Sequence, residues 1–481
     1  MPVSNKTTRV AVLADSDTRW KWGALTARRL AGAAEGAETA RASESAEATA
    51  AAAAAGATAA AGASAAAGGD AAPGALADVH LDGYLLRGRA TPTPRQLQEV
   101  GVRADSLREV TAIEFLNEMG QGESAPDVLV LALVGGGVQA VLHGLARVWA
   151  GFRRRPVVVT GYVGVVYEKL ADGLLLRHGA DVVLANSRQD AERFRAVYEG
   201  VGADASCVVE AALPFLGGDP YAPRDPHTVV FAAQPSVPDK RADRLYLLDR
   251  LIRHARRHPD REVLLKLRSK PGEHTTHIEE LPYQKLVKGL DAPANFRLVY
   301  GHMGEVLDRT DLLVTISSTA ALEGLHRRVP TAVLTDLGVR EALGNHAFIG
   351  SGCLASWDQL DEGHTPKPDP DWVARQGVAA DGTYATAYDE ARLRVAELTG
   401  RARAEGLAPL APYYTRTTAP GYLPGILARH HLGPDGVPLP GAPTADRDPG
   451  PVRQAVRTAA RGAYRHGVQR VAPVIRRMGE L

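Results

Sequence analysis

Three hydroxyl residues interrupt an apolar run near residue 315. Leu312-Leu313-Val314 reads as a strand, Ser317, Ser318 and Thr319 follow, and Ala320-Ala321-Leu322-Glu323 reads as a helix start. Backbone N–H groups and hydroxyls at a helix start, where the dipole is positive, suit a phosphate. Glu323, one turn in, would reach a ribose. A helix cap without a ligand is the plainer account, yet a cap needs only one hydroxyl. Upstream, Lys266, Arg268 and Lys270 alternate at period two. On a strand they would share one face, and three cations near a strand end suit a dianionic phosphate. A charged edge strand is the alternative. Gln234, before Pro235, ends another apolar run and brings an amide to the same region.

A second group lies near the N-terminus. Asp15, Asp17, Arg19, Trp20, Lys21 and Trp22 crowd the end of the first apolar run. Asp15 or Asp17 could serve as a general base on an acceptor hydroxyl. Arg19, Trp20 and Lys21 would then contact the acceptor, with the tryptophans flooring a sugar ring. The competing account has Asp17 or Thr18 capping a helix and the indoles packed. Gly135-Gly136-Gly137 allows backbone to approach a ligand as an acceptor-side wall, or makes a tight turn. Its spacing is not that of a dinucleotide-binding loop. Tyr162 and Glu168 follow the next strand. Tyr162 is an acceptor contact, and Glu168 a further base candidate or a residue that suits a helix dipole. Glu273, His274 and His277 lack the HExxH spacing, so no metal site is expected.

Short Val-rich runs alternating with helical stretches must position these residues. "RVAVLAD", "APDVLVLAL", "RPVVVTG", "ADVVLAN" and "CVVEAALP" form one series. "TVVFAAQ", "REVLLKLR", "NFRLVYG", "DLLVTIS" and "PTAVLTD" form another. Such patterns predict parallel sheets covered on both faces, hence two Rossmann-like α/β domains. Ligands of such sheets bind beyond the strands' C-terminal ends, which is where the residues above lie. We assign residues 1–216 to the first domain, 217–227 to a Pro- and Gly-rich linker and 228–400 to the second domain. Residues 401–445 form an irregular or helical segment packing back on the first domain. Residues 32–75, mostly Ala, Gly, Ser, Thr and Glu, read as a disordered insertion within the first domain.

The chain's 481 residues suffice for two or three domains, and 45% of them are hydrophobic. A net charge of +1 gives no global attraction to nucleic acid. Two cysteines exclude a disulfide framework and suit a cytoplasmic protein. No charge-free apolar run of membrane-spanning length occurs outside the weakly hydrophobic Ala/Gly tract. From 446 onward a basic tail follows. Its stretch from Pro451 carries seven arginines and one glutamate, and Arg453, Arg457, Arg461 and Arg465 share a helix stripe. It reads as a solvated helix, or as a peripheral contact with the inner face of an anionic membrane.

Segment 180–214, with its "ADVVLANS" strand and closing "AALP", resembles the end of the N-terminal domain of GT-B glycosyltransferases. Segment 228–335, with "VLDRTDLLVTISSTAALEGLHRRVPTAVL", is similar to their donor domain. The Ser-Ser-Thr form resembles bacterial sialyltransferases, related capsule polymerases and CDP-glycerol transferases. The whole chain resembles a bacterial family named as putative glycosyltransferases. Where the sialyltransferases carry His-Pro, this chain has Arg268-Ser269-Lys270-Pro271. The resemblance implies a GT-B fold with two domains facing across a cleft. It implies a nucleotide-sugar donor, a glycan, lipid or small-molecule acceptor, no separate cofactor, and metal-independent, inverting transfer. A sugar-nucleotide epimerase of the same shape, or a non-catalytic scaffold, are the alternatives.

Overall fold

The computed structural model describes residues 8–31, 79–122, 125–164, 169–270, 273, 279–378 and 383–441. The Ala-rich insertion, the basic tail, Glu168, His274 and His277 lie outside the described residues. Among the described residues, no helix is long and apolar enough to cross a membrane.

Seven parallel strands form the first sheet: β1 (Thr8–Ala14), β2 (Val79–Leu86), β3 (Ser106–Val110), β4 (Val128–Ala132), β5 (Val157–Gly161), β6 (Val182–Ala185) and β7 (Val208–Glu210). Six form the second: β8 (Thr228–Ala232), β9 (Glu262–Lys266), β10 (Phe296–Val299), β11 (Leu312–Thr315), β12 (Thr331–Leu334) and β13 (Leu354–Ala355). Their spatial orders are β3-β2-β1-β4-β5-β6-β7 and β10-β9-β8-β11-β12-β13, every pairing parallel. Each is a doubly wound sheet whose order reverses beside its first strand. The fold is therefore the GT-B-like pair of α/β domains that the resemblance implied. β4 and β5 are buried throughout, as strands covered on both faces must be.

The helix Asp17–Leu30 begins earlier than the apolar pattern suggests. Its N-cap is Ser16, whose hydroxyl accepts from the Arg19 N–H at 3.4 Å, so neither Asp17 nor Thr18 caps it. Gly23 lets this helix lie against β1, since a Cβ there would stand 2.6 Å from Val12 Cγ1. Trp20 and Trp22 are fully buried on the sheet side of the same helix. β3, mostly exposed at the sheet edge, carries too little apolar pattern to be read from sequence.

The chain passes between the domains twice. After Leu216 it runs to β8, and the Asp311 carboxylate fastens this stretch by accepting from Thr228 N at 2.8 Å, Arg224 N at 3.0 Å and Tyr221 Oη at 3.2 Å. It returns near Gly377. Tyr384 and Tyr388 then donate to the carbonyls of Leu213 and Ala212 at 2.7 and 2.6 Å. The helix Asp389–Ala404, counted from sequence with the second domain, packs instead on the first: Ala391, Val395 and Leu398 join Trp22 and Leu213 in one buried cluster. Periodicity marks a helix as amphipathic without saying which sheet it covers. That cluster continues into the second domain through Leu322, Leu325 and Phe348. Burial of each such side chain is worth about 1.5–3 kcal/mol. Beyond residue 410, Leu423, Leu427 and Leu432 enter the first domain's other core, and His143 Nε2 donates to the Tyr414 carbonyl at 2.9 Å.

Candidate functional site

Both points of strand-order reversal are occupied by polar residues. In the first sheet the reversal lies between β1 and β4. There Asp15 follows β1, and its Oδ2 accepts from Val134 N, just past β4, at 3.0 Å. Its Oδ1 accepts from Arg19 at 2.9 Å. Asp15 is thus a brace that joins two loops, with Arg19 paired to it. In the second sheet the reversal lies between β8 and β11. Gln234 follows β8 and clamps Ser317 after β11: its Oε1 accepts from Ser317 N at 3.0 Å and its Nε2 donates to Ser317 Oγ at 3.2 Å. Ser317 Oγ in turn donates to the Leu343 carbonyl at 2.6 Å.

The expected three-residue hydroxyl cradle is therefore divided. Ser317 is buried and committed to the protein. Ser318 Oγ accepts from Ala320 N at 3.2 Å, as a local cap. Thr319 makes no side-chain cap and faces the other domain, where a Cβ on Gly164 would come within 3.4 Å of its hydroxyl.

The cation stripe also separates, because β9 ends at Lys266 and period two ends with it. Lys266 is buried and donates to the Leu267 carbonyl at 2.9 Å. Arg268 crosses to the first domain, donating to Asp17 Oδ1 at 2.9 Å and to the Thr18 hydroxyl. Lys270 stands 6.0 Å from the centre of the Tyr300 ring. What the cleft assembles instead is a cluster drawn from both domains. Lys21 lies over the Phe215 ring at 4.9 Å, and its ammonium donates to His302 Nε2 at 3.1 Å. Burial, then the charges of Lys21, Arg327 and Lys266, push His302 down to about 4, which leaves it a neutral acceptor. Glu323 is buried among the same three cations. Burial raises its pKa, and Lys21, Arg327 and Lys266 oppose the rise. Burial brings Lys266 down to about 8, against the pull of Glu99 and Glu323. Glu323 thus stands as a buried counter-charge to these cations.

Arg327, Glu99 and Arg95 were missed from sequence. Arg327 is buried, donates to Asp308 at 3.3 Å, and packs on Gly218, whose positive φ of 92° no larger residue would suit. Arg95 and Glu273 clasp each other across the cleft, and Arg95 holds Glu99 at 2.7 Å. Arg95 and Glu99 have the i,i+4 spacing of a helix-surface pair, which gives no hint of a partner in the other domain. His302 was legible in principle, because it follows a strand end.

Three acceptor-side expectations are corrected. Trp20 is fully buried, its indole N–H donating to the Val102 carbonyl at 3.4 Å, so it offers no face to a sugar. Tyr162 is tucked under the Arg177 guanidinium, 3.9 Å from its ring centre, with its hydroxyl against Gly173. Gly135 packs on Leu176. All three of Gly135, Gly136 and Gly137 open the helix Gly135–Val148 rather than forming a free turn. Gly136 and Gly137 do line a cavity of about 510 Å³, together with Tyr422, Ile426, Arg429 and His430. His430 lies close enough to Asp15 to feel its charge, though burial lowers the imidazole pKa overall. Tyr422 also borders a neighbouring cavity of about 650 Å³, where it and Tyr414 each donate to Asp172 at 2.9 Å.

The sequence profile of a family described as "Putative glycosyltransferase (DUF6716)" matches residues 69–398. The chain belongs to that family. No curated protein matches this DUF6716 chain in sequence. Among solved structures, it is similar to the glycotransferase of kitacinnamycin, with 14% identity, 82% of this chain and 97% of the other covered, and a TM-score of 0.40. It is similar to S. aureus MnaA solved with UDP, with 9% identity, 80% and 98% covered, and a TM-score of 0.46. It is also similar to a UDP-GlcNAc 2-epimerase from Neisseria meningitidis, with 10% identity, 81% and 99% covered, and a TM-score of 0.41.

Proposed function

We propose that this DUF6716 protein transfers a sugar from a nucleotide-sugar to a glycan, lipid or small-molecule acceptor at the cleft between its sheets. The transfer is metal-independent and inverting. The observation that carries this reading is the Asp17–Arg268 pair, 2.9 Å long, between the C-terminal ends of the two sheets. It puts a candidate base of one domain against a candidate phosphate-binding cation of the other.

The donor lies on the second domain, at the Gln234 and Ser317 crevice. Its phosphates meet Lys266, Arg268 and the Thr319 hydroxyl, with Lys21 supplied from the first domain. Their fixed charge stabilises the negative charge that develops on the leaving nucleotide, the task a metal performs in other enzymes. When Arg268 turns to phosphate it releases Asp17, which then takes the proton of the acceptor hydroxyl. Donor binding thereby frees the base. The acceptor enters from the side of Gly136, Gly137 and Tyr422.

A thermal-shift screen against UDP, CMP, CDP, GDP and dTDP tests the donor half. One base should stabilise the protein by RT ln(1 + [L]/Kd), about 2.7 kcal/mol at a hundredfold excess over Kd. Lys266→Met and Arg268→Ala should each weaken that response. No response to any of the five sinks the reading.

Lys266 adds a pH signature. In the free protein it carries its charge below about 8 and loses it above. A bound phosphate favours the charged form, so above that pH binding must take up a proton. Calorimetric Kd for the responding nucleotide should therefore rise by up to about tenfold per pH unit above 8, with little change below it. In Lys266→Met the dependence should flatten. An equal slope in both proteins removes Lys266 from the phosphate site.

A further inference from the structure

At the end of the second domain away from the cleft, the helix Arg241–Arg257 carries His254, and His258 follows at its C-cap. They stand four residues apart, the spacing that aligns two imidazoles on one helix face for a metal. Asp361, which ends the helix Trp357–Asp361, closes the group. One donor atom from each of the three lies within 4.8 Å of the others.

The hydrogen bonding fixes which nitrogen of His254 is available. His254 is fully buried, and its Nδ1 lies 2.6 Å from Asp361 Oδ1. A carboxylate accepts there, so the ring carries its proton on Nδ1 and its lone pair on Nε2. Asp361 Oδ2 accepts from Arg250 at 3.0 Å, so both carboxylate oxygens are engaged. The Nε2 atoms of His254 and His258 are both buried with no hydrogen-bond partner. Orphaned polar atoms of this kind are rare and call for a partner. A carboxylate that orients a histidine through Nδ1 while Nε2 faces outward is the outer-shell arrangement of protein zinc sites. The two rings lie 4.6 Å apart, centre to centre. His258 as a whole is half-buried, at the edge of the domain, although its Nε2 is itself covered.

We propose that His254 and His258, with Asp361 orienting His254, bind one divalent zinc ion at the C-terminal end of the helix Arg241–Arg257, where the His254–Asp361 pair joins that helix to the helix Trp357–Asp361. The site is separate from the cleft.

The test is zinc titration of the full-length, tag-free, chelator-treated protein, read by calorimetry and thermal shift. Wild type should bind one equivalent and melt at a higher temperature with zinc than without. His258→Ala, at a half-exposed position, should fold and lose that equivalent. Asp361→Asn should weaken zinc binding by about 10–100-fold. The nucleotide response should be the same with and without zinc in every variant. Equal zinc affinity in wild type and His258→Ala, or no binding at micromolar zinc, overturns the proposal. The second result would mean that water alone meets the two nitrogens.

Discussion

Asp17→Asn will lower the rate of sugar transfer by about 10²–10⁴-fold, the span that loss of a general base commonly costs. It will leave nucleotide affinity unchanged or raise it. The reason is geometric. Asp17 accepts from Arg268 at 2.9 Å, and its removal spares Arg268 a partner it must leave before it can meet phosphate. A base that also competes for the phosphate cation should split kinetics from binding in this direction. Side-by-side kcat and nucleotide Kd measure the split. Asp15→Asn should behave otherwise, because Asp15 accepts from Val134 N and Arg19 and braces the first crevice. Its loss should appear as lower stability. If Asp17→Asn keeps the full rate, the base is another residue.

Trp20→Ala will destabilise the first domain by about 3–5 kcal/mol, as expected when a large buried aromatic is removed. Trp20 has no exposed surface. Gly83 gives it room, since a Cβ there would stand 2.7 Å from its ring. Urea unfolding measures the loss. A sugar platform would give the opposite pattern, with native stability and a raised KM for acceptor. That pattern would mean that the indole leaves the core when acceptor binds.

The two sheets were legible because all-parallel strands covered on both faces must be short, apolar runs. The reversal points were legible for a related reason. Residues just past a strand's C-terminal end are where α/β sheets meet ligands, and Asp15, Asp17, Gln234 and Ser317 all stand there. Direction was not legible. A pattern of two places Lys266, Arg268 and Lys270 on one face only while the strand continues, and β9 stops at Lys266. Three adjacent hydroxyls look equivalent in sequence, yet Ser317, Ser318 and Thr319 face the core, the local backbone and the other domain. Trp20 and Trp22 resemble surface aromatics because Arg19 and Lys21 flank them, but a helix turns neighbours by 100° and both indoles point at the sheet. Pairings between domains, such as Arg95 with Glu273, leave no local trace at all.

The two crossings of the chain and the apolar cluster shared by both domains restrict how the cleft can move. Leu322, Leu325 and Phe348 pack with Trp22, Leu213 and Leu216 at the back, beside both crossings. The front is held by partly exposed pairs, Asp17–Arg268 and Arg95–Glu273, each worth about 0–1 kcal/mol in such settings. Sliding one domain over the other would tear the oily contact. Tilting them apart costs these front pairs and the Lys21–His302 hydrogen bond. The molecule is therefore built as a jaw with a greased pivot, and the same carboxylates and guanidinium groups that would handle the substrate also serve as its catch.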